Sequence, residues 1–367
     1  MKTKAAVLYE YGKPFVVEEI ELEGPKEKEV LVNYKVAGVC HSDLSVMKGN
    51  LPFPPLPAVL GHEASGIIKE VGPGVTKVKP GDHVLMMWSP ICGQCRNCVK
   101  GLHMFCENKL PLRNGTLIDG THRIRKENKN LSILNGVGAF SEFNVVSELS
   151  LVPIDPDISF DVALFGCAYM TGIGSVFNKA RVQPGDAVAI IGIGGVGLNV
   201  IQGAQLAHAT KIIAIDVLEN KLEAAKRFGA THVINAKKED PIKMVMDITG
   251  GLGADYAFEA IGKPETALMG YNLLARGGSL IILGISDSKA QITVSLFNFP
   301  IFEKNILGSN YGSGDMRKGL KMLIELYKAG KIKLEEMITK RYSLQEINEA
   351  FRDLEEGKNL RGVIMYQ

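Results

Sequence analysis

No stretch of this 367-residue chain is long and apolar enough to span a bilayer. Its first residues, Met1-Lys2-Thr3-Lys4, lead into a short alternating apolar run and lack the hydrophobic segment and cleavage site of a secretory leader. No membrane is therefore expected as a partner, and the cytoplasm is the expected location. A charge excess is missing too. Forty-two Lys+Arg face 40 Asp+Glu, a formal net charge of +2, so nothing in the balance draws the chain to nucleic acid or an anionic surface. Internal repeats and low-complexity tracts are also absent. What remains is a soluble globular composition, 46% hydrophobic and 22% charged, long enough for two domains.

Cysteine is scarce, with six residues, and these divide into two groups. Cys92, Cys95, Cys98 and Cys106 follow a Cys-x2-Cys-x2-Cys-x7-Cys spacing. Four thiolates so close together satisfy a tetrahedral zinc completely and form a closed structural site over 89–110. A zinc ribbon for nucleic acid lacks its basic face here, and the seven-residue gap matches iron–sulfur spacing poorly. Cys40 and Cys167 stand apart, with Gly61-His62-Glu63 between them. Two cysteines and a histidine make a catalytic zinc set with one open position. Six cysteines also allow three disulfides, but in a reducing compartment metal ligation is the more frequent use. Cys40 is followed by His41-Ser42-Asp43, and Asp43 is the natural partner for the free nitrogen of His62.

The texture changes along the chain. Short β-like runs broken by Gly and Pro (5–9, 30–39, 64–71 and 84–88) predict an irregular, mostly β domain over the first half. The polar stretch 114–135 reads as a long surface loop. From about residue 170, strands alternate with helices: strands at 187–191, 211–215, 232–235, 255–258, 279–283 and 306–308, helices at 195–208, 218–228 and 264–274. This predicts an α/β doubly wound parallel sheet. A helix at 316–328 and a strand at 362–366 return to the first domain. Gly192, Gly194, Gly195, Val196 and Gly197 belong to a Gly-x-Gly-x-x-Gly run between a strand and a helix. This is a pyrophosphate-binding turn at a helix N-terminus. Asp216 ends the next strand, where its carboxylate accepts from the adenosine ribose and repels a 2′-phosphate, favouring NAD over NADP.

With these motifs in order, the chain resembles the zinc-dependent alcohol dehydrogenases of the medium-chain dehydrogenase/reductase superfamily, in the long-loop branch that holds classes I and III. The resemblance runs the whole length. It rests on Cys40-His41-Ser42-Asp43, Gly61-His62-Glu63-x2-Gly66-x5-Gly72, the four-cysteine lobe, Gly166-Cys167, the glycine fingerprint and Asp216. It implies a GroES-like catalytic domain, residues 1–168 and 311–367, and a Rossmann coenzyme domain, 169–310. It also implies two zinc ions per chain, NAD and a homodimer. Ser42 is implied to accept the substrate proton, and Glu63 to lie behind the catalytic zinc and exchange with a ligand. His41 and Arg361 are implied to hold the pyrophosphate, Thr171 the nicotinamide side, and Lys221 the adenosine ribose. One departure is Ser45, where many relatives carry a histidine that ends the proton relay. Proton release then uses water or His41.

The implied pocket has Trp88 as a wall, with Leu134 and Ile285 as apolar lining, and suits a primary aliphatic or aromatic alcohol or its aldehyde. A formaldehyde–thiol adduct is the alternative. Residues 49–56 are apolar without an acid, and Leu110 stands where class III relatives place arginine. Both argue against glutathione as the thiol. A polyol dehydrogenase would replace a zinc cysteine by an acid, and a quinone reductase would lack the Cys40/His62/Cys167 set. A catalytically inactive structural or redox-sensing relative would have lost a zinc ligand, and none is missing.

Overall fold

Alternating Val, Ile and Ala make the first third of the chain a succession of short strands. The computed structural model describes residues 1–367 and divides into two units. Unit 1 comprises Met1–Cys167, Asp315–Tyr327 and Leu334–Gln367, and unit 2 comprises Ala168–Gly314 and Lys328–Lys333. Unit 1 opens with strands β1 (Lys2–Leu8), β2 (Val16–Leu22), β3 (Glu29–Val39), β4 (Ala58–Val59), β5 (Ala64–Val71) and β6 (His83–Met86). It continues with β7 (Ile124–Lys126), β8 (Lys129–Asn130), β9 (Ser132–Ile133), β10 (Phe143–Ser147) and β11 (Leu151–Ile154). Unit 2 holds β12 (Ala187–Ile191), β13 (Lys211–Asp216), β14 (His232–Asn235), β15 (Ala254–Glu259), β16 (Leu274–Ile282) and β17 (Asn305–Gly308). The chain then returns β18 (Ile338–Tyr342) and β19 (Arg361–Met365) to unit 1.

Unit 1 contains two mixed sheets. One runs β8-β7-β2-β1-β4-β9. The other runs β11-β6-β5-β3-β19-β18, with β10 also on β3. β3 is central and almost wholly buried. The antiparallel β19 sets Gly362 opposite Val39, so the last strand lies beside the strand end that leads into Cys40. Between the sheets lies an apolar core in which Phe15, Phe140 and Phe351 meet ring to ring. Two short helices matter for the site: α1 (His41–Met47) and α2 (Arg96–Val99).

Unit 2 is a six-stranded, all-parallel sheet in the order β14-β13-β12-β15-β16-β17. The continuous apolar run of β12 is that of a central strand buried on both faces. Its helices include α3 (Ala168–Gly174), α4 (Gly195–Leu206), α5 (Glu219–Phe228), α6 (Pro241–Ile248) and α7 (Pro264–Asn272). β12 and β15 are neighbours although β13 and β14 intervene in sequence. Strand order reverses there, and ligands of such sheets bind in the crevice beyond the strand ends at that point.

Two sequence expectations are corrected, and one helix is added. Residues 114–135 are not a long surface loop. They carry β7, β8 and β9 and bury Leu117, Arg123, Ile124, Leu131 and Ile133. Arg123 is the reason the polar segment can go inside: its Nε and Nη2 donate to the two Glu29 oxygens at 2.8 and 2.6 Å. Helix α6 was not foreseen, although Asp240 caps it and Pro241 opens it. Residues 328–333 belong to unit 2 rather than to the catalytic half. The Lys333 N–H donates to Gln202 and the Tyr169 hydroxyl donates to the Lys333 carbonyl, which ties the segment there. No single helix is long and apolar enough to cross a membrane.

Candidate active site and metal centres

Unit 1 brings candidate metal ligands together from separate places in the chain. Cys40 is the N-cap of α1, directly after β3. Asp43, in the first turn of α1, is fully buried. Its Oδ1 accepts from the Gly61 N–H at 2.9 Å and its Oδ2 lies 3.1 Å from His62 Nδ1. One carboxylate thus fixes both the backbone before His62 and the orientation of its ring, leaving Nε2 to act as ligand. Cys167 closes the short helical segment Phe160–Gly166. The ligand atoms of Cys40, His62, Glu63 and Cys167 all lie within 4.8 Å of one another.

Glu63 is fully buried and accepts from Arg361, which also donates to the Val39 carbonyl at 3.2 Å. Gly38 makes room for this carboxylate, since a Cβ there would stand 1.8 Å from Glu63 Oε2. The residues modify one another electrostatically. The Cys167 thiol, donating to Cys40, holds the Cys40 thiol well below its ordinary pKa against the effect of burial, with help from His62. That same hydrogen bond, and burial, push Cys167 up. Burial disfavours charge on His62, but Asp43 and Cys40 outweigh it and raise its pKa. Burial pushes Glu63 up to about 7, with the Arg361 guanidinium opposing. Two sulfurs and an imidazole, held together and buried with a carboxylate behind them, are the donors a zinc ion takes, with a position left for a further ligand.

The second cluster lies in the lobe 89–110. The Sγ atoms of Cys92, Cys95, Cys98 and Cys106 are also mutually within 4.8 Å. Cys95 caps α2, which carries Cys98, and the backbone N–H groups of Cys95 and Cys92 donate to the sulfurs of Cys92 and Cys106 at 3.3 and 3.4 Å. Backbone N–H groups of Glu107 and Cys98 lower the Cys95 thiol to about 6. Such bonds stabilise thiolates. Four of them form a closed set without a vacancy. All six cysteines are free thiols.

In unit 2 the glycine fingerprint joins β12 to α4. Gly192 has φ +91°, and a Cβ on Gly197 would meet the Gly192 carbonyl oxygen at 2.0 Å. A Cβ on Gly194, by contrast, would meet nothing, so the turn offers open space for a phosphate against the α4 N-terminus. Gly195 and Val196 form its first turn and are half-buried. The Asp216 Oδ2 accepts from the Ile193 N–H at 2.7 Å and its Oδ1 from Val217 and Leu218, which links the carboxylate to the phosphate turn. Lys221 on α5 is buried; burial lowers its pKa and Asp216 opposes this. These residues fit a dinucleotide.

The remaining expected residues are less drawn together. Ser42 is half-buried and His41 exposed at the start of α1. Thr171, in α3, is half-buried, and its carbonyl accepts from Ser175. Trp88 stands edge-on to His62, with ring centroids 6.3 Å apart. Leu134 is within the unit 1 core, and Ile285 is exposed in unit 2. Sequence reasoning missed Gly38 and the Glu63–Arg361 pair. It also missed Lys109, whose Nζ lies 4.8 Å from the Trp88 ring centroid; a basic residue three after Cys106 was the only signal.

Comparison with known proteins agrees with this geometry. Residues 26–156 match the alcohol dehydrogenase GroES-like domain, and residues 195–325 match the zinc-binding dehydrogenase domain. The chain is 42% identical to the NDMA-dependent alcohol dehydrogenase of Amycolatopsis methanolica, over 100% of this chain and 99% of that one. It is 41% identical to the S-(hydroxymethyl)glutathione dehydrogenase of Escherichia coli over the full length of both. The crystal structure of benzyl alcohol dehydrogenase from Acinetobacter calcoaceticus aligns over all of both chains with a TM-score of 0.94 at 32% identity. The chain belongs to the zinc-dependent alcohol dehydrogenases of the medium-chain dehydrogenase/reductase superfamily.

Proposed function

We propose that this protein interconverts primary aliphatic or aromatic alcohols and their aldehydes using NAD, with two zinc ions per chain. The observation that carries the reading is the buried meeting of Cys40, His62 and Cys167 with Asp43 behind the imidazole. Cys40, His62 and Cys167 would hold the catalytic ion, and the four lobe cysteines the structural one. Zinc there would supply Lewis acidity, lowering the pKa of a bound hydroxyl towards neutrality. NAD supplies the hydride acceptor, and the Asp216 carboxylate favours its unphosphorylated ribose. Asp43 keeps His62 in one tautomer. Ser42 Oγ takes the alcohol proton and passes it outward through water or His41, because Ser45 provides no imidazole. Thr171 and Arg361 orient the nicotinamide and pyrophosphate ends, Lys221 the adenosine.

Relatives named S-(hydroxymethyl)glutathione dehydrogenase favour a second reading, a formaldehyde–thiol adduct as substrate. The decisive assay is a panel of primary, secondary and aromatic alcohols and formaldehyde–thiol adducts on zinc-assayed protein. NAD, NADP and NDMA are compared as acceptors, since one relative is named NDMA-dependent. Turnover of primary alcohols with NAD and close to two zinc ions per chain is the expected result. One zinc per chain, or preference for an adduct, overturns the respective part. We further propose a homodimer in the cytoplasm. The coenzyme sheet ends in the edge strand β17, and Leu296, Phe297 and Ile301 are exposed in the segment before it. Sedimentation of the purified protein tests this.

A further inference from the structure

Within unit 2, hydrogen bonds run in one line from residue 333 to the phosphate turn. The Lys333 N–H donates to Gln202 Oε1 at 2.8 Å, Gln202 Nε2 donates to Asn199 Oδ1 at 3.0 Å, and Asn199 Nδ2 donates to the Gly195 carbonyl at 2.8 Å. A main-chain N–H only donates and a carbonyl only accepts, so the two ends fix which way both amides face. Asn199 and Gln202 are buried in α4, whose buried residues are otherwise apolar. Two primary amides in such a place cost free energy that their hydrogen bonds offset. The Gly195 carbonyl does not need the extra bond, because in the helix it already accepts from the Asn199 N–H four residues on. Gly172 on α3 packs against the same place. A Cβ there would stand 2.5 Å from Asn199 Cβ and 2.7 Å from the Val196 carbonyl oxygen. The backbone of α3 thus lies close against Asn199 and confines it.

The Gly195 carbonyl belongs to the same peptide group as the Val196 N–H. That N–H lies in the first turn of α4 and is one of the groups that a helix N-terminus leaves unpaired and offers to an anion. A second hydrogen bond on a carbonyl oxygen polarises its peptide and makes the attached N–H a stronger donor. We propose that Asn199 is a positioning residue for the coenzyme. Through the Gly195–Val196 peptide it holds and polarises the Val196 N–H that would receive the pyrophosphate, and Gln202 keeps its amide turned for that task. The inference rests on the dinucleotide reading of this turn. It deepens that reading by naming a residue that touches no ligand and sets the strength of one that does. Its effect falls on the phosphates. The proposed partners of the adenosine, Asp216 and Lys221, sit on β13 and α5 instead.

The test titrates the zinc-loaded, full-length protein with ADP-ribose, which carries the pyrophosphate, and with adenosine, which carries no phosphate. Turnover of benzyl alcohol with NAD is measured beside it. Wild type, Asn199→Ala, Asn199→Ser and Gln202→Leu are compared, with melting temperature as the measure of folding. Alanine and serine leave nearly the same gap, but a serine hydroxyl can donate to the carbonyl four residues back in its helix. The expected result for Asn199→Ala is a loss of about threefold to tenfold in ADP-ribose affinity, with adenosine held within about twofold of wild type. Asn199→Ser should recover most of the loss. Gln202→Leu should fall between the two, since Asn199 keeps its donor and loses what orients it. Equal losses for ADP-ribose and adenosine, or the same loss with serine as with alanine, mean that Asn199 only packs α4 against α3, and overturn the proposal. So does an ADP-ribose affinity unchanged in Asn199→Ala. The split between ligands with serine rescue, but without turnover of benzyl alcohol by wild type, keeps the role of Asn199 and removes the proposed alcohol chemistry instead.

Discussion

Gly38 and Glu63 share a space that admits only one side chain. A Cβ at position 38 would come within 1.8 Å of Glu63 Oε2 and 2.9 Å of Leu164 Cδ2, and the Gly38 N–H also donates to the Glu63 carbonyl at 3.0 Å. Gly38→Ala therefore forces the carboxylate off Arg361 or displaces β3. We expect a destabilisation of about 1–3 kcal/mol and a clear drop in kcat. Thermal melting and steady-state kinetics check both. A variant with wild-type melting and rate would show that Glu63 has another place to go.

Asp43→Asn keeps the size of the side chain and removes its charge. The amide can still meet Gly61 or His62, but not both with the same polarity. Metal affinity or activity should fall roughly 10–100-fold, measured as zinc retained after dialysis against a weak chelator and as kcat/KM. The four-cysteine lobe should keep its ion, so the zinc content should tend towards one per chain.

Cys98→Ser acts on the other ion. Cys98 is buried and its sulfur lies 3.9 Å from that of Cys92. Its loss opens the closed thiolate set. A drop in melting temperature of roughly 4–7 °C is expected for a loss of a few kcal/mol in a chain of this size, together with a zinc content near one. The residual activity at low temperature should exceed that of Cys40→Ser, which removes a catalytic ligand.

Acid sensitivity has an identifiable contributor in unit 1. Hydrogen bonds from Lys340 and from the Tyr342 hydroxyl hold the Asp353 carboxyl down to about 2. A carboxyl whose pKa is lower folded than unfolded stabilises the fold above its unfolded value of about 3.9. That stability is lost as pH falls from there through about 2. Asp353→Asn should lower the urea midpoint at pH 7, and the gap from wild type should close as the pH approaches 2. A gap that stays constant from pH 7 to 2 would argue against ionisation as its source.

Much of the site was legible because its parts sit at short fixed spacings. The four lobe cysteines, Cys40 with Asp43, Gly61 with His62, and the glycine fingerprint before α4 each carry their chemistry within a few residues. The unit 2 strands were legible because a central parallel strand such as β12 is a continuous apolar run. What escaped depends on partners far apart in sequence. Arg123 made 114–135 look like solvated loop, and only its pairing with Glu29, 94 residues earlier, lets it be buried. The pairing of Arg361 with Glu63 shows only once β19 sets the two side by side. Helix α6 was different: Asp240-Pro241 was a readable start, masked by the charged residues Lys237–Asp240 before it.

The sequence separation of Glu63 and Arg361, 298 residues, also sets a schedule for biosynthesis. At synthesis rates of about 5–20 residues per second, roughly 15–60 s pass between the two. During that interval a nascent chain has β3 without its β19 neighbour, and a carboxylate destined for burial without its counter-ion. The centre cannot be electrostatically complete until β19 leaves the ribosome. A chain released before Arg361 would hold the ligands of the centre without the charge that accompanies them.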